Sequence, residues 1–224
     1  MRRRLAISLV CGLAAVAAFA PITRSPSAVA QPRPGIRGVV TLVTLGRFPR
    51  ELADAVEQGI RDELQVDVRR IDDRPLPRSA FYAPRHRYRA DRLLEHLHTI
   101  VPGARQSTRI LAMTSVDIST TKGRVYDWGV FGLGELGGMS CVISLFRLQR
   151  NARDAAHLRF RVVTTAVHEV GHTLGLDHCT EPRCLMRDAE GSIRTVDTST
   201  GVLGPECRAE LEQRSPIRPP AGVP

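Results

Sequence analysis

The sequence predicts an α/β fold in which a β-sheet packs on helices. Segments with the pattern of strands alternate with segments that have the pattern of helices as far as residue 148, and this alternation is typical of such a fold. The chain has 224 residues, which suits one domain with or without a small lobe. Only 4% of the residues are aromatic, so we expect Leu, Val, Ile and Ala to fill the core.

The pattern begins with a strand, a helix and a second strand. "VVTLVTL" (39–45) is β-branched and apolar, as a buried strand should be. "PRELADAVEQGIRDEL" (49–64) begins with Pro49, which suits a helix start, and repeats apolar residues at helical spacing. These apolar residues are Leu52, Val56, Ile60 and Leu64. The alternating "QVDVRRI" (65–71) indicates the second strand.

The remaining elements follow a proline-rich break. Residues 72–87 contain three prolines and are predicted to be a loop. Beyond them the pattern predicts a helix over 89–101, a strand over 108–118 and two strands around a glycine-rich turn over 127–148. The segment 158–174 fits a helix because it lacks proline and has a glycine only near its end.

The first thirty residues have the layout of a secretory signal peptide. Arg2, Arg3 and Arg4 form a basic start, residues 5–20 are apolar, and "AVA" ends at Ala30 as a small-x-small cleavage site. The apolar run is short for a membrane span, and an uncleaved membrane anchor is the alternative. We therefore expect export to the periplasm or the medium.

Signal cleavage would leave one folded domain with short flanking segments. We expect a signal peptide over 1–30, a linker over 31–36, a domain over 37–214 and a proline-rich disordered tail over 215–224. Cleavage would remove four arginines and no acidic residue, so the formal net charge would fall from +9 to +5. No basic run is interleaved with aromatic residues, so neither nucleic acid nor, after cleavage, a membrane is expected as a partner. We expect a monomer.

The segment "HEVGHTLGLDHC" concentrates side chains that bind metals. His168 and His172 are four residues apart, so on a helix both imidazoles lie on one face and can bind one ion. Glu169 follows the first of them, in the H-E-x-x-H arrangement in which the glutamate is a general base. Gly175 can adopt the left-handed backbone that ends a helix, which lets His178 return as a third ligand.

Three nitrogen ligands leave one tetrahedral position open, which is typical of catalytic rather than structural zinc. The sequence therefore predicts a zinc metallopeptidase in which a zinc-bound water attacks the peptide bond and Glu169 accepts its proton.

A catalytically weak zinc-binding module that recruits a protein partner is the alternative, although metal binding alone does not need Glu169. A purely structural zinc would require a fourth protein ligand. Endopeptidase and aminopeptidase action are not distinguished by the sequence.

The complete motif H-E-x-x-H-x-x-G-x-x-H is that of the metzincins. The segment "HCTEPRCLM" that contains its last histidine is similar to the archaemetzincin pattern H-C-x4-C-x-M, and the chain resembles that family over residues 37–210. The resemblance implies a twisted mixed sheet with a backing helix and an active-site helix, an upper lobe over 37–178 and a small irregular lower lobe over 179–214. It also implies a methionine turn at Met186 beneath the zinc, and an edge strand within 127–135 that pairs with an extended peptide substrate.

The resemblance also bears on the four cysteines that signal cleavage would leave. The family has a second zinc held by four cysteines, and Cys179, Cys184 and Cys207 match three of those positions, while the fourth falls on Glu210. An exported chain with an even number of cysteines favours disulfides instead. Cys179 with Cys184 would then be the local pair, leaving Cys141 with Cys207. A retained second zinc, two disulfides and free thiols all stay open.

Other polar and aromatic residues are weaker candidates. Tyr126, Trp128 and Phe131 could line a substrate cleft, although core packing is the ordinary role of such residues. Four further histidines are predicted to be surface side chains rather than ligands. They are His86, His96, His98 and His157.

Overall fold

The computed structural model describes residues 38–100 and 108–214. The predicted signal peptide, linker and C-terminal tail lie outside these residues. The described elements are, in chain order, β1 (Val39–Thr44), α1 (Arg50–Leu64), β2 (Asp67–Arg70), β3 (Phe81–Tyr82), β4 (Arg87–Arg89), α2 (Ala90–Ile100), β5 (Thr108–Thr114), β6 (Ile118–Lys122), β7 (Val125–Val130), β8 (Gly132–Gly134), β9 (Ser140–Ser144), α3 (Leu145–Leu148), α4 (Ala155–Thr173), α5 (Ile193–Thr198) and α6 (Pro205–Gln213).

The larger sheet has five strands in the order β2-β1-β5-β9-β8. β1 pairs in parallel with both β2 and β5, and β5 pairs in parallel with β9. β8 runs antiparallel to β9 and forms one edge of the sheet. The predicted α/β class with a mixed sheet is therefore confirmed.

Different helices cover the two faces of this sheet, because alternate side chains of a strand point to opposite faces. Leu42 of β1 and Met113 of β5 are buried together with α1 and α4. Their neighbours Val43 and Ala112 are buried together with α2. The apolar residues predicted along one face of α1 pack against this side of the sheet. Of these, Val56, Ile60 and Leu64 are buried and Leu52 is partly buried. The active-site helix α4 thus lies on the same face as α1.

A second, smaller sheet was not predicted. It contains β3, β4, β6 and β7, and its two short strands β3 and β4 lie within the predicted loop 72–87 or directly after it. The prediction for 127–148 was only partly right, because β7 belongs to this smaller sheet while β8 and β9 belong to the larger one.

The last four residues of that range form α3, which begins where Ser144 Oγ accepts a hydrogen bond from Phe146 N–H at 3.1 Å. A side-chain cap of this kind favours a helix over continuation of the strand.

Helix α4 carries the predicted metal ligands. It begins three residues earlier than predicted because Asp154 caps it, with Oδ1 accepting the His157 N–H at 2.7 Å. Leu174 is its C-cap, and beyond it the chain is irregular as far as α5. Among the helices of 38–100 and 108–214, none combines the length and the apolarity that a membrane crossing requires.

Candidate metal centre

Three imidazole rings converge at the C-terminal end of α4. His168 and His172 project from the same face of the helix, and their Nε2 atoms lie 3.0 Å apart. The Nε2 atom of His178 lies 3.2 Å from that of His172. Ring nitrogens of all three residues lie within 4.8 Å of one another. The structure therefore brings together the three histidines that the sequence predicted as ligands.

Backbone carbonyls fix two of these rings. The Nδ1 atoms of His168 and His172 each lie 2.8 Å from a carbonyl oxygen, that of Leu185 and that of Leu176 respectively. A hydrogen bond to a carbonyl places the ring proton on Nδ1, so Nε2 of each ring carries a free lone pair. This is the orientation that a second contact imposes on metal-ligating histidines.

Burial keeps these two rings neutral. Burial, and after it the neighbouring His172, lowers the pKa of His168 to about 3. Burial also lowers the pKa of His172, with His178 acting in the same direction. Neutral imidazole is the form that binds a metal, so both rings are held ready for ligation at physiological pH.

Gly175 gives the chain the turn that returns His178. Its φ is +94°, a conformation that is strained for a residue with a side chain. Its N–H donates to the carbonyl of His172 at 2.8 Å, which closes the end of the helix. The glycine also lies against the guanidinium of Arg214, which is 2.8 Å from where a Cβ would be. The predicted helix-ending role of Gly175 agrees with this conformation.

The three nitrogens suit a divalent cation such as zinc. The Nε2 lone pairs of His168 and His172 face each other at 3.0 Å with no proton between them, and they repel unless a cation lies close to both. Within the part of the chain that the structure describes, no carboxylate or thiol joins this ligand group. The donor set is therefore three imidazoles, which leaves a fourth tetrahedral position to solvent or substrate.

Glu169 lies in the same cleft, beside His168 in sequence. The cleft has a volume of about 410 Å³. Glu169 is 7% exposed, and burial raises the pKa of its carboxyl to about 8, with a smaller contribution from Asp188. The carboxylate packs against Gly132 of β8, where any side chain would overlap it. A carboxyl in such surroundings can both accept and release a proton near neutral pH.

Met186 packs against Gly171 of α4. It is fully buried, and its Sδ atom lies 2.7 Å from where a Cβ on Gly171 would be. Its carbonyl accepts the Cys179 N–H at 3.1 Å, and the carbonyl oxygen of the preceding Leu185 lies 2.8 Å from Nδ1 of His168. The segment that contains Met186 therefore contacts the helix that carries the first two ligands.

The edge strand β8 borders the cleft. Phe131 accepts a hydrogen bond from Ser144 at 2.8 Å, and Glu135 donates one to Ser140 at 3.1 Å. Alternate residues of an antiparallel strand bond to opposite sides, so the N–H and C=O groups of Gly132 and Gly134 point away from β9. The edge strand expected within 127–135 from the family resemblance is therefore β8, and its two glycines begin the segment that the residue pattern alone indicated as a glycine-rich turn.

Two of the three aromatic candidates line the cleft. They are Trp128 and Phe131. Tyr126 instead stacks on the guanidinium of Arg89 at 4.1 Å, outside the cleft lining.

The four cysteines are not placed as two disulfide pairs. Cys179, Cys184 and Cys207 form one group with sulfur atoms within 4.8 Å of one another. Cys141 lies in β9 and donates to the Ile110 carbonyl at 3.6 Å, so the predicted pairing of Cys141 with Cys207 is not supported. Glu210, the residue at the fourth position of the family pattern, pairs with Arg214 at 2.6 Å instead.

One of the four histidines predicted to lie on the surface is buried. His157 is 9% exposed, and its Nε2 donates to Asp197 Oδ1 at 2.8 Å. Arg161 donates two further hydrogen bonds to the same carboxylate, at 2.6 and 2.8 Å. The prediction of a surface side chain was therefore wrong for His157, which helps to join α4 to α5.

The chain is similar to known proteins over most of its length. Residues 46–213 match peptidase family M54. A relative named archaemetzincin from Natronomonas pharaonis is 32% identical over 179 residues, covering 77% of this chain and 98% of the relative. The archaemetzincin of Haloarcula marismortui is 31% identical over 179 residues, again covering 77% of this chain and 98% of the relative.

Solved structures agree with these sequence matches. The crystal structure of archaemetzincin from Methanopyrus kandleri superposes with a TM-score of 0.68 at 29% identity, covering 82% of this chain and 98% of that one. A zinc-dependent peptidase from Methanocorpusculum labreanum superposes with a TM-score of 0.65 at 26% identity, covering 77% of this chain and 99% of that one.

Proposed function

The chain belongs to peptidase family M54, and we propose that Glu169 is the general base of its reaction and that the protein works outside the cytoplasm. It is a zinc metallopeptidase that acts on peptides or proteins. The ligands that we propose for its zinc are His168, His172 and His178, whose ring nitrogens converge in the cleft. Zinc bound there would supply a water of lowered pKa and a Lewis acid for the scissile carbonyl.

The observation that carries the role of Glu169 is its position. The carboxylate is buried in the cleft, adjacent in sequence to His168 and pressed against Gly132, so it has little freedom to turn away. Burial raises the pKa of its carboxyl to about 8, so the ionised form is a stronger proton acceptor than an exposed glutamate. In this proposal Glu169 takes a proton from the attacking water and later delivers it to the leaving amine.

The substrate would bind as an additional strand beside β8. The outward N–H and C=O groups of Gly132 and Gly134 offer hydrogen bonds to an extended peptide. These groups are on the main chain and so contact the peptide backbone rather than its side chains. Binding of this kind positions a peptide bond with little sequence preference.

The experiment that tests the function compares the full chain with Glu169→Gln in a peptide-library digest. We expect zinc-dependent cleavage by the unaltered chain, its loss with 1,10-phenanthroline, and a decrease of about 10²–10⁴-fold in Glu169→Gln with zinc still bound. Glu212→Gln, on the exposed face of α6, is the matched control and should cleave normally. Undiminished cleavage by zinc-loaded Glu169→Gln would exclude the general-base role. Zinc binding without any cleavage by the unaltered chain would favour a recruitment module.

Export rests on the sequence of the first thirty residues. The basic start, the apolar run over 5–20 and the small residues up to Ala30 support a signal peptide cleaved before Gln31. Fractionation of an expressing bacterium, with mass measurement of the recovered chain, tests this. We expect the periplasm or medium to contain a chain that begins at Gln31. A full-length chain in the cytosol would refute export, and one in the membrane fraction would indicate an anchor.

A further inference from the structure

The short segment from Leu185 to Asp188 lies against two of the three ligand rings. At its start, the Leu185 carbonyl oxygen is 2.8 Å from Nδ1 of His168. At its end, Oδ2 of Asp188 is 3.8 Å from Nδ1 of His178. The two ends of one segment therefore face the outer nitrogens of the first and the third ligand.

His178 differs from the other two ligands in what its Nδ1 atom contacts. Nδ1 of His168 and Nδ1 of His172 each lie 2.8 Å from a backbone carbonyl oxygen. Among the described residues, Nδ1 of His178 forms no hydrogen bond, and the one acidic side chain within ion-pair distance of it is Asp188. A metal-ligating histidine is usually oriented by an acceptor at the nitrogen that does not bind the metal. Asp188 is therefore the candidate for that acceptor at the third ligand.

The carboxylate of Asp188 is held in place by its own turn. Its Oδ1 atom accepts the Glu190 N–H at 2.8 Å, which leaves Oδ2 as the oxygen nearer to His178. The turn ends at Gly191, whose φ is +78° and which packs on Trp128. Cζ2 of that ring lies 2.9 Å from where a Cβ on Gly191 would be. The turn thus fixes the position from which Asp188 faces the ring of His178.

A second basic side chain is near enough to act on Asp188, and it has another contact. Lys122 also lines the cleft, and its charge acts on the carboxylate of Asp188. Its ammonium lies 5.6 Å from the ring centre of Trp128. Among the described residues, His178 is the one basic group within ion-pair distance of Asp188. The geometry therefore favours His178 over Lys122 as the partner of this carboxylate.

We propose that Asp188 positions His178 for zinc. A carboxylate beside Nδ1 favours the ring proton on that nitrogen, and Nε2 then keeps its lone pair for the metal. Asp188 is a positioning residue, since it would act through His178. This role rests on the zinc ligation proposed above for His178.

An asparagine separates this role from a contribution of Asp188 to the turn alone. Asp188→Asn keeps one oxygen to accept the Glu190 N–H, so its amide nitrogen, which is not an acceptor, faces Nδ1 of His178. Asp188→Ala removes both contacts. If Asp188 served only the turn, the asparagine variant would bind zinc like the unaltered chain and only the alanine variant would be impaired.

The first test measures the rate at which the zinc-loaded full chain releases zinc to a competing chelator. His178→Gln identifies the release phase that belongs to the histidines. Loss of a partner of this kind costs about 10–100-fold in metal affinity, and both Asp188 and His178 are partly exposed to solvent. We therefore expect Asp188→Asn and Asp188→Ala each to release this zinc about tenfold faster than the unaltered chain. Lys122→Gln is the matched control and should release it at the unaltered rate.

Three outcomes of this test would contradict the proposal. Release from Asp188→Asn at the unaltered rate would limit Asp188 to the turn. Equally fast release from Lys122→Gln and Asp188→Asn would assign the effect to the charges of the cleft. If His178→Gln released all its zinc like the unaltered chain, His178 would not be a ligand, and the proposed zinc site would fail together with the role of Asp188.

A second test observes the ring of His178 itself, without an activity assay. With Co²⁺ in place of zinc, the paramagnetic ion shifts the ring N–H signals of the ligand histidines away from other proton signals. Those of His168 and His172, which face backbone carbonyls, should be the same in the unaltered chain and in Asp188→Asn. The signal of His178 should exchange with solvent about tenfold faster in the variant. An unchanged third signal would show that Asp188 does not hold this ring.

Discussion

Gly132 of β8 lies so close to Glu169 of α4 that a Cβ atom built on the glycine would be 2.5 Å from the carboxylate oxygen Oε1. The edge strand therefore fixes the position of the carboxylate. The same strand directs the main-chain groups of Gly132 into the cleft, so one residue affects both the proposed base and the proposed substrate strand.

Gly132→Ala should separate metal binding from catalysis. The added methyl group would overlap the Glu169 side chain and displace it, since the three atoms nearest to that position all belong to Glu169 and none to a histidine. Because a displacement of about 1 Å can cost about 10²-fold in rate, we expect kcat/KM to fall by about that factor. Zinc content should stay unchanged. Normal kcat/KM in a folded, zinc-loaded variant would show that Glu169 need not occupy its observed position.

Peptide substrates with a methylated backbone nitrogen test pairing with β8. A methyl group on an amide that would pair with Gly132 or Gly134 removes one hydrogen bond of about 0.5–1.5 kcal/mol. We expect kcat/KM to fall up to about tenfold at alternate positions of the peptide and to change little at the positions between. A scan of singly methylated peptides measures this. A uniform effect at every position would argue against strand pairing.

Substitutions of Met186 measure how much its packing contributes to stability. Met186→Ala would leave a cavity against Gly171 and should lower the free energy of unfolding by about 2–5 kcal/mol. Met186→Leu keeps a similar volume and should cost less than about 1.5 kcal/mol. Urea unfolding followed by circular dichroism gives both values. Equal free energies of unfolding for the alanine and leucine variants would show that packing of the Met186 side chain does not contribute to stability.

Asp197→Asn tests the ion pair between α4 and α5. Hydrogen bonds from Arg161 and then His157 hold the pKa of Asp197 below its ordinary value, against the opposing effect of burial. A carboxyl with a lowered pKa in the folded state stabilises the protein above its unfolded pKa, and this stabilisation is lost as the pH falls through the folded value. At pH 7 we expect Asp197→Asn to cost about 3 kcal/mol, since Arg161 is buried and would lose its partner.

The pH dependence distinguishes this ion pair from simple packing. The difference in unfolding free energy between Asp197→Asn and the unaltered chain should shrink as the pH falls below about 4, where aspartate titrates in an unfolded chain. Urea unfolding across this pH range gives the difference. A constant difference at every pH would mean that the charge of Asp197 is unimportant.

The local features of the site could be predicted from the sequence. His168 and His172 converge because helix geometry places residues four apart on one face. Gly175, which the sequence indicated as the end of the helix, has the left-handed conformation that brings His178 back. The strand patterns also predicted β1, β2 and β5 of the larger sheet to within a few residues of their observed bounds.

Features that depend on distant contacts could not be predicted. Gly132 meets Glu169 only after β8 has packed on α4, so the contact between these two residues was not predicted. His157 is buried because Asp197, far along the chain, accepts a hydrogen bond from it.

Anomalous diffraction at the zinc edge, from crystals of the full chain, tests the metal centre most directly. We predict a peak about 2.0–2.1 Å from Nε2 of His168, His172 and His178, with water or solvent in the fourth position. A fourth protein side chain bonded to that ion, or three rings turned apart with no peak between them, would contradict a hydrolytic zinc at this site.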